Sequence, residues 1–160
     1  MAKPSNSQRH HQRHLLVDVA RQILEMIEGE VVTATWPVST SRFGLGFEEG
    51  SFRTPTGRFR IAEKIGEGAP AGMIFRSRIA TGKVAEQGGD EDLVLTRILW
   101  LEGLDPQNAN TRQRYIYIHG TNQEHLIGAP ASHGCIRLRN NDMIVLFDRV
   151  HEGTHVEIKP

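Results

Sequence analysis

Cys135 is the only cysteine in the 160-residue chain, and it lies in the run Ala131-Ser132-His133-Gly134-Cys135-Ile136-Arg137-Leu138. A second histidine-glycine pair, His119-Gly120, stands 16 residues before the thiol. A thiol attacks carbonyl carbon as the thiolate, and a nearby imidazole is the usual means of making one near neutral pH. In such a pair His119 takes the Cys135 proton and later returns a proton to a leaving amine. The carbonyl of Gly120 is the nearest group able to hold the other ring nitrogen. Gly134, just before the nucleophile, lets the backbone turn sharply, so the amides of Gly134 and Cys135 can point at a developing oxyanion. Donors of that kind commonly contribute on the order of 3 kcal/mol each.

Arg137 follows two residues after the thiol and, on a strand, projects to the same side. Two readings stay open for it: a fork for a substrate carboxylate, or an ordinary surface ion pair. Bland readings exist for the other residues as well. A lone cysteine is often an inert small hydrophobe, and a lone histidine a satisfied polar residue. His119, His125, His133 and Cys135 also present a His₃Cys zinc set, but their spacing fits none of the compact ligand patterns. A binding module that keeps the fold without chemistry is a further rival.

These residues need elements to position them. Leu15, Val19, Ile23 and Ile27 recur every four residues, as an amphipathic helix would have them. The same stretch reads as strands Leu15–Val19, Leu24–Glu28 and Val31–Val38, with turns at Ala20-Arg21-Gln22 and Gly29-Glu30. Thr54-Pro55-Thr56-Gly57 is a turn signature, and Gly57–Ala62 alternates as a strand leaving it. Gly66 to Gly72 lacks the lysine-serine/threonine ending of a phosphate loop and reads as a plain loop. Met73–Arg78, Leu93–Leu101 and Arg114–His119 are further strands, the last with Tyr115, Tyr117 and His119 on one face. Arg97 and Trp100 fall on opposite faces of a regular strand, so at most one lines a site there. Asn140-Asn141-Asp142 caps a helix over Met143–Val150, and Thr154–Ile158 closes the chain as a strand. The pattern predicts a mostly β domain.

The bulk composition sets limits. Nineteen basic and nineteen acidic residues leave a formal net charge of zero, so no electrostatic case arises for nucleic acid or an anionic membrane as partner. Residues 1–14 read as a flexible polar leader without an apolar core, and residues 15–160 as one domain. The expected setting is therefore the cytoplasm, or the periplasm if a signal once preceded the sequence. No metal or cofactor is expected.

The two motifs together resemble the L,D-transpeptidase catalytic-domain (YkuD-like) family. Tyr115 to Gly120 is the strand ending in histidine and a small residue, and Ala131 to Leu138 the Ser-His-Gly-Cys segment. Val38-Ser39-Thr40, Thr54 to Phe59 and the ending Leu146-Phe147-Asp148 with Gly153 to Val156 are similar to the family too. The resemblance implies a mostly β, β-sandwich-like domain with one or two short helices, and so strands rather than a helix at 15–38. It implies Cys135 as nucleophile, His119 as base oriented by Gly120, and Gly134 in the catalytic turn. His133 and Ser132 would shape the substrate pocket, and Arg137 would hold a carboxylate of the donor peptide. The implied substrate is the peptidoglycan stem peptide or a soluble muropeptide, cut between the L-centre of a diamino acid and D-alanine through a thioester. Because no signal or anchor is seen in the sequence, water is the expected acceptor, which makes the enzyme an L,D-carboxypeptidase trimming tetrapeptide to tripeptide in cytoplasmic recycling. An amine would make it a cross-linking L,D-transpeptidase. Carbapenems acylate enzymes of this kind.

Overall fold

The computed structural model describes residues 13–160. Most of the leader segment, residues 1–12, therefore lies outside the described residues. Arg13 and His14 do not belong to a leader, because they open the first strand, β1 (Arg13–Asp18).

Strands β2 (Ile23–Glu28) and β3 (Val31–Pro37) follow through tight turns. A four-residue repeat is also a multiple of the two-residue strand period, which is why residues 15–28 carry both patterns. Pairing decides between them. Leu15 and Val17 of β1 face Met26 and Leu24 of β2 in antiparallel register, and all four are buried. Gln22, in the left-handed region at φ 52°, makes the turn, and its carboxamide exchanges hydrogen bonds with the amide and hydroxyl of Thr40.

The remaining strands are β4 (Gly57–Ile65), β5 (Met73–Arg76), β6 (Ile79–Val84), β7 (Val94–Gly103), β8 (Tyr117–Gly120), β9 (Ile136–Leu138) and β10 (His155–Lys159). All ten form one mixed sheet in the order β3-β2-β1-β10-β4-β7-β5-β6, with β8 added on β7 and β9 on β8. The helix α1 (Asn140–Arg149) packs Met143, Leu146 and Phe147 into the main core. That core joins β1, β2, β4, β7 and β10 through Leu15, Leu24, Phe59, Ile61, Leu99, Leu101 and Val156, all almost fully buried. Burying a side chain of this size contributes about 1.5–3 kcal/mol.

Two sequence expectations change, and two short strands join the elements expected. The strand expected from Arg114 begins only at Tyr117, because Tyr115 takes a left-handed φ of 57° and turns its ring outward. Asn140 lies within the helix rather than ahead of it. Its amide group is buried and donates to Thr121 O at 2.9 Å, while its Oδ1 accepts from Thr96 Oγ1 at 2.6 Å. The short strands β6 and β9 carry no alternating signal of their own. β6 is exposed throughout and forms a hairpin with β5. Its turn, Ser77-Arg78, has φ values of 47° and 66°. That is the mirror-image turn in which glycine or asparagine is the usual choice, and a non-glycine residue there costs about 1–2 kcal/mol.

β7 is the junction of the sheet. It pairs with β4 through residues 98–103 and with β8 through residues 95–100. A bulge between Leu95 and Ile98, with buried Thr96 at φ 76°, re-aims the strand where β8 ends.

Candidate active site

Parallel pairing of β8 with β9 sets Ile118 beside Ile136, His119 beside Arg137 and Gly120 beside Leu138. Ile118, Ile136 and Leu138 point into the main core. By strand alternation Tyr117 and His119 share the other face with Cys135 and Arg137. Both motifs thus reach one face by register alone.

His119 is 2% exposed, and its Nδ1 lies 2.5 Å from the Gly120 carbonyl oxygen. A carbonyl only accepts, so Nδ1 carries the proton and Nε2 keeps its lone pair for the cavity. Burial lowers the His119 pKa below the usual imidazole value of 6.5, outweighing the nearby Asp92 charge and the Gly120 bond, which raise it. The ring is therefore a neutral base at neutral pH. Gly120 is also a steric necessity. A Cβ there would sit 2.3 Å from Asn140 Oδ1 and 2.9 Å from Leu95 O.

The thiol is set differently from the expectation of an imidazole–thiol hydrogen bond. Cys135 Sγ accepts from the Tyr117 amide at 3.3 Å and donates to Tyr115 O at 3.4 Å. Among the described residues it makes no hydrogen bond to His119. Register explains this, since Cys135 stands level with Tyr117, one pleat short of His119. Burial pushes the Cys135 thiol up to about 12, against the opposing pull of the Tyr117 amide. The resting pair is neutral thiol and neutral imidazole, so thiolate must form as the carbonyl is attacked. Proton transfer then requires Cys135 Sγ and Nε2 to close on each other, in keeping with catalytic bonds that tighten only with substrate. Alkylation of Cys135 by iodoacetamide is accordingly expected to climb without plateau from about pH 7 to about pH 10. Rate against pH by mass spectrometry checks this, and a plateau near neutrality would mean a preformed thiolate.

Arg137 departs most from its expected role. Its side chain has no exposed surface. One terminal nitrogen donates to Asp92 Oδ1 at 3.1 Å and Gln123 Oε1 at 2.7 Å, and the other to Ser39 Oγ at 3.1 Å. It is neither a fork open to a substrate carboxylate nor a surface pair, but the buried tie between β9, the β6–β7 loop and Ser39. Ser132 is likewise buried rather than pocket-lining. Its hydroxyl donates to Cys135 O at 2.7 Å and accepts from the Gly134 amide at 3.2 Å. That bond engages the Gly134 amide, so of the two expected oxyanion donors only the Cys135 amide is without a protein acceptor among the described residues. Gly134, at φ 123°, makes the turn that brings Cys135 round.

His133 does border the site. Its Nδ1 lies 3.0 Å from Asp92 Oδ2, and its ring packs against Phe43 and Phe52 at centroid distances of 5.9 and 5.7 Å. Asp92 had no signal in the sequence, since Asp90-Glu91-Asp92 reads as a solvated acidic run. Burial works to raise its carboxyl, but His119, His133 and Arg137 together outweigh this and hold it below the ordinary carboxylate value. The loop that carries it is fixed by Asn122, whose side-chain nitrogen donates to Gly88 O and Glu91 O at 2.9 and 3.0 Å. Asp92, Val94, His119, His133 and Cys135 line a cavity of about 220 Å³. Beyond His133 lies a second cleft of about 150 Å³, bordered by Phe52, Arg114 and Tyr115. Trp100 packs toward Tyr117 and Cys135, whereas Arg97 is spent on Ala69 O and Thr96 O. Among the described residues no three His, Cys, Asp or Glu side chains converge on a metal position.

The sequence pattern of the L,D-transpeptidase catalytic domain matches residues 12–158. The chain belongs to this family. Curated relatives in the family include the putative L,D-transpeptidase YkuD of Bacillus subtilis, 27% identical over 146 residues, covering 91% of this chain and 65% of that protein. The probable L,D-transpeptidase YbiS of Escherichia coli is 52% identical over 44 residues, covering 28% of this chain and 14% of its own length. The chain thus spans only part of such relatives. Among solved structures, an L,D-transpeptidase from Xylanimonas cellulosilytica superposes with a TM-score of 0.60 at 21% identity, covering 99% of this chain and 65% of that one. L,D-transpeptidase LdtMt1 in complex with imipenem superposes at 0.59 with 19% identity, covering 92% of this chain and 59% of that one. The L,D-transpeptidase fold is therefore shared over nearly the whole domain, with Cys135 and His119 on one face of its β8–β9 pair.

Proposed function

We propose that this L,D-transpeptidase domain acts on peptidoglycan stem peptides by acyl transfer through Cys135. The observation that carries the reading is one cavity lined by both the chain's single thiol and a neutral imidazole whose Nε2 is free to accept a proton. Cys135 Sγ bonds to the carbonyl carbon of the diamino acid's L-centre as its proton passes to His119 Nε2. The oxyanion gathers on the Cys135 amide. The C–N bond to D-alanine then breaks, its nitrogen taking the proton from His119, and a thioester remains.

In the second half His119 takes a proton from the incoming water or amine, the acyl–sulfur bond breaks, and the proton returns to Sγ. With water the product is a tripeptide, and the protein is an L,D-carboxypeptidase suited to trimming soluble muropeptides in recycling. With an amine of a second stem the product is a cross-link. The second cleft, which meets the first at His133, favours that transfer, because it gives an acceptor its own approach. A strained carbapenem carbonyl offers Cys135 the same electrophile.

Mass spectrometry of the purified protein with disaccharide-tetrapeptide tests the proposal. Loss of one alanine to give tripeptide supports hydrolysis, and dimers support transpeptidation. An unchanged substrate together with an unmodified Cys135 overturns both.

A further inference from the structure

With Arg137 enclosed, the expected carboxylate anchor of the site is missing, and another arginine, Arg78, contacts the aromatic residues packed about the thiol. Arg78 is the second residue of the β5–β6 turn, in a backbone conformation that disfavours any side chain. Glycine would fit this turn without strain, so the retained side chain points to a use for it. Its guanidinium lies over Trp100, 4.7 Å from the ring centroid, and over Tyr115 at 4.9 Å. Nη1 donates to Tyr117 Oη at 3.1 Å.

These are the residues that frame the thiol. The Tyr117 amide and the Tyr115 carbonyl are the two groups touching Cys135 Sγ. The guanidinium is thus one tyrosine side chain away from the nucleophile, on a platform that Trp100 and Tyr117 share with Cys135. The neighbouring Arg112 also lies over Trp100, but it is paired with Glu63 at 2.5 Å. Arg78 has no acidic partner among the described residues. Of its five N–H donors one is used, and the aromatic rings fix the plane of the rest. A pre-oriented, half-buried guanidinium with spare donors, one tyrosine side chain from the nucleophile, suits a carboxylate of a substrate that extends past the thiol.

We propose that Arg78 holds a carboxylate of the donor stem peptide and thereby selects donors. This rests on the acyl-transfer reading above. Besides the terminal carboxylate of the departing D-alanine, which every tetrapeptide donor carries, two carboxylates flank the scissile bond: that on the side chain of the diamino acid, and that of the preceding γ-linked glutamate.

Synthetic tetrapeptide stems ending in D-alanine, with each of these carboxylates in turn free or amidated, distinguish the two. The protein is expected to prefer the free acid over the amide at one position by about tenfold to a hundredfold in kcat/KM. Arg78→Gln is expected to bring the free-acid stem down to the amidated level mainly through KM, and Arg78→Lys to keep part of the preference. A purely structural arginine would not move that ratio. Equal use of acid and amide at both positions by the unaltered protein overturns the inference, whether or not the variants fold. So does a preference that survives Arg78→Gln. D-alanine release from none of the stems overturns the acyl-transfer reading itself, and the inference with it.

Discussion

Cys135→Ala is expected to reduce D-alanine release from tetrapeptide stems by at least about 10³-fold, because no other side chain here can form the acyl intermediate. What remains would come from positioning and from the Cys135 amide, which the substitution keeps. The fold should scarcely notice. Sγ makes two long contacts to backbone atoms and carries no charge at neutral pH, its thiol being pushed up to about 12. Losing it removes a weak donor and little apolar area, so the unfolding free energy should fall by no more than about 1 kcal/mol. The measurement pairs an alanine-release assay with thermal unfolding of the variant. Release at the native rate from a folded variant would show that the thiol is not the nucleophile. Carbapenem labelling should vanish in the same variant, since the lactam carbonyl is attacked by the same atom.

How much of the fold and site is legible in the sequence depends on the range of the interactions involved. His119, Gly120 and Cys135 carry their meaning locally, because residue type and spacing along two strand ends define them. The Gly120 carbonyl can be named from sequence since it adjoins the ring it holds. Residues 15–28 are ambiguous for the opposite reason. Their repeat satisfies helix and strand alike, and pairing decides: β1 with β2 in a hairpin, and β1 with β10, more than 100 residues further along the chain. Asp92 is illegible because its role comes from Arg137 and His133, 45 and 41 residues distant. Arg78 escapes notice for a similar reason. Nothing in Phe75-Arg76-Ser77-Arg78 marks one arginine as seated on Trp100 and Tyr115. Arg137 shows the converse error. Strand parity places it on the face of Cys135, yet parity says nothing about a loop folding over that face.

That enclosure leads to the second large effect. Arg137→Met is expected to lower the unfolding free energy by about 3 kcal/mol or more at pH 7, the usual range for removing one member of a buried pair. The substitution leaves the Asp92 carboxylate, with 15% of its side chain exposed, and the oxygens of Gln123 and Ser39 without their shared donor. The direction of the pH effect follows from the carboxyl. Burial raises Asp92, and without Arg137 one of the groups that hold it down is lost. In the variant the carboxyl should take a proton at higher pH than in the native protein, relieving the unpaired charge. The stability deficit should therefore be widest near neutrality and narrow as the pH falls toward the ordinary carboxylate range. Asp92→Asn in the Arg137→Met background should recover part of the loss at neutral pH, giving a double-mutant cycle that is less than additive. Urea unfolding of the four proteins at two pH values measures all of this. A variant as stable as the native protein but with a raised KM for free-acid stems would mean that Arg137 leaves Asp92 to meet substrate. The loop carrying Asp92 would then be the moving part, despite the bonds that tie it to Asn122 and Gln123.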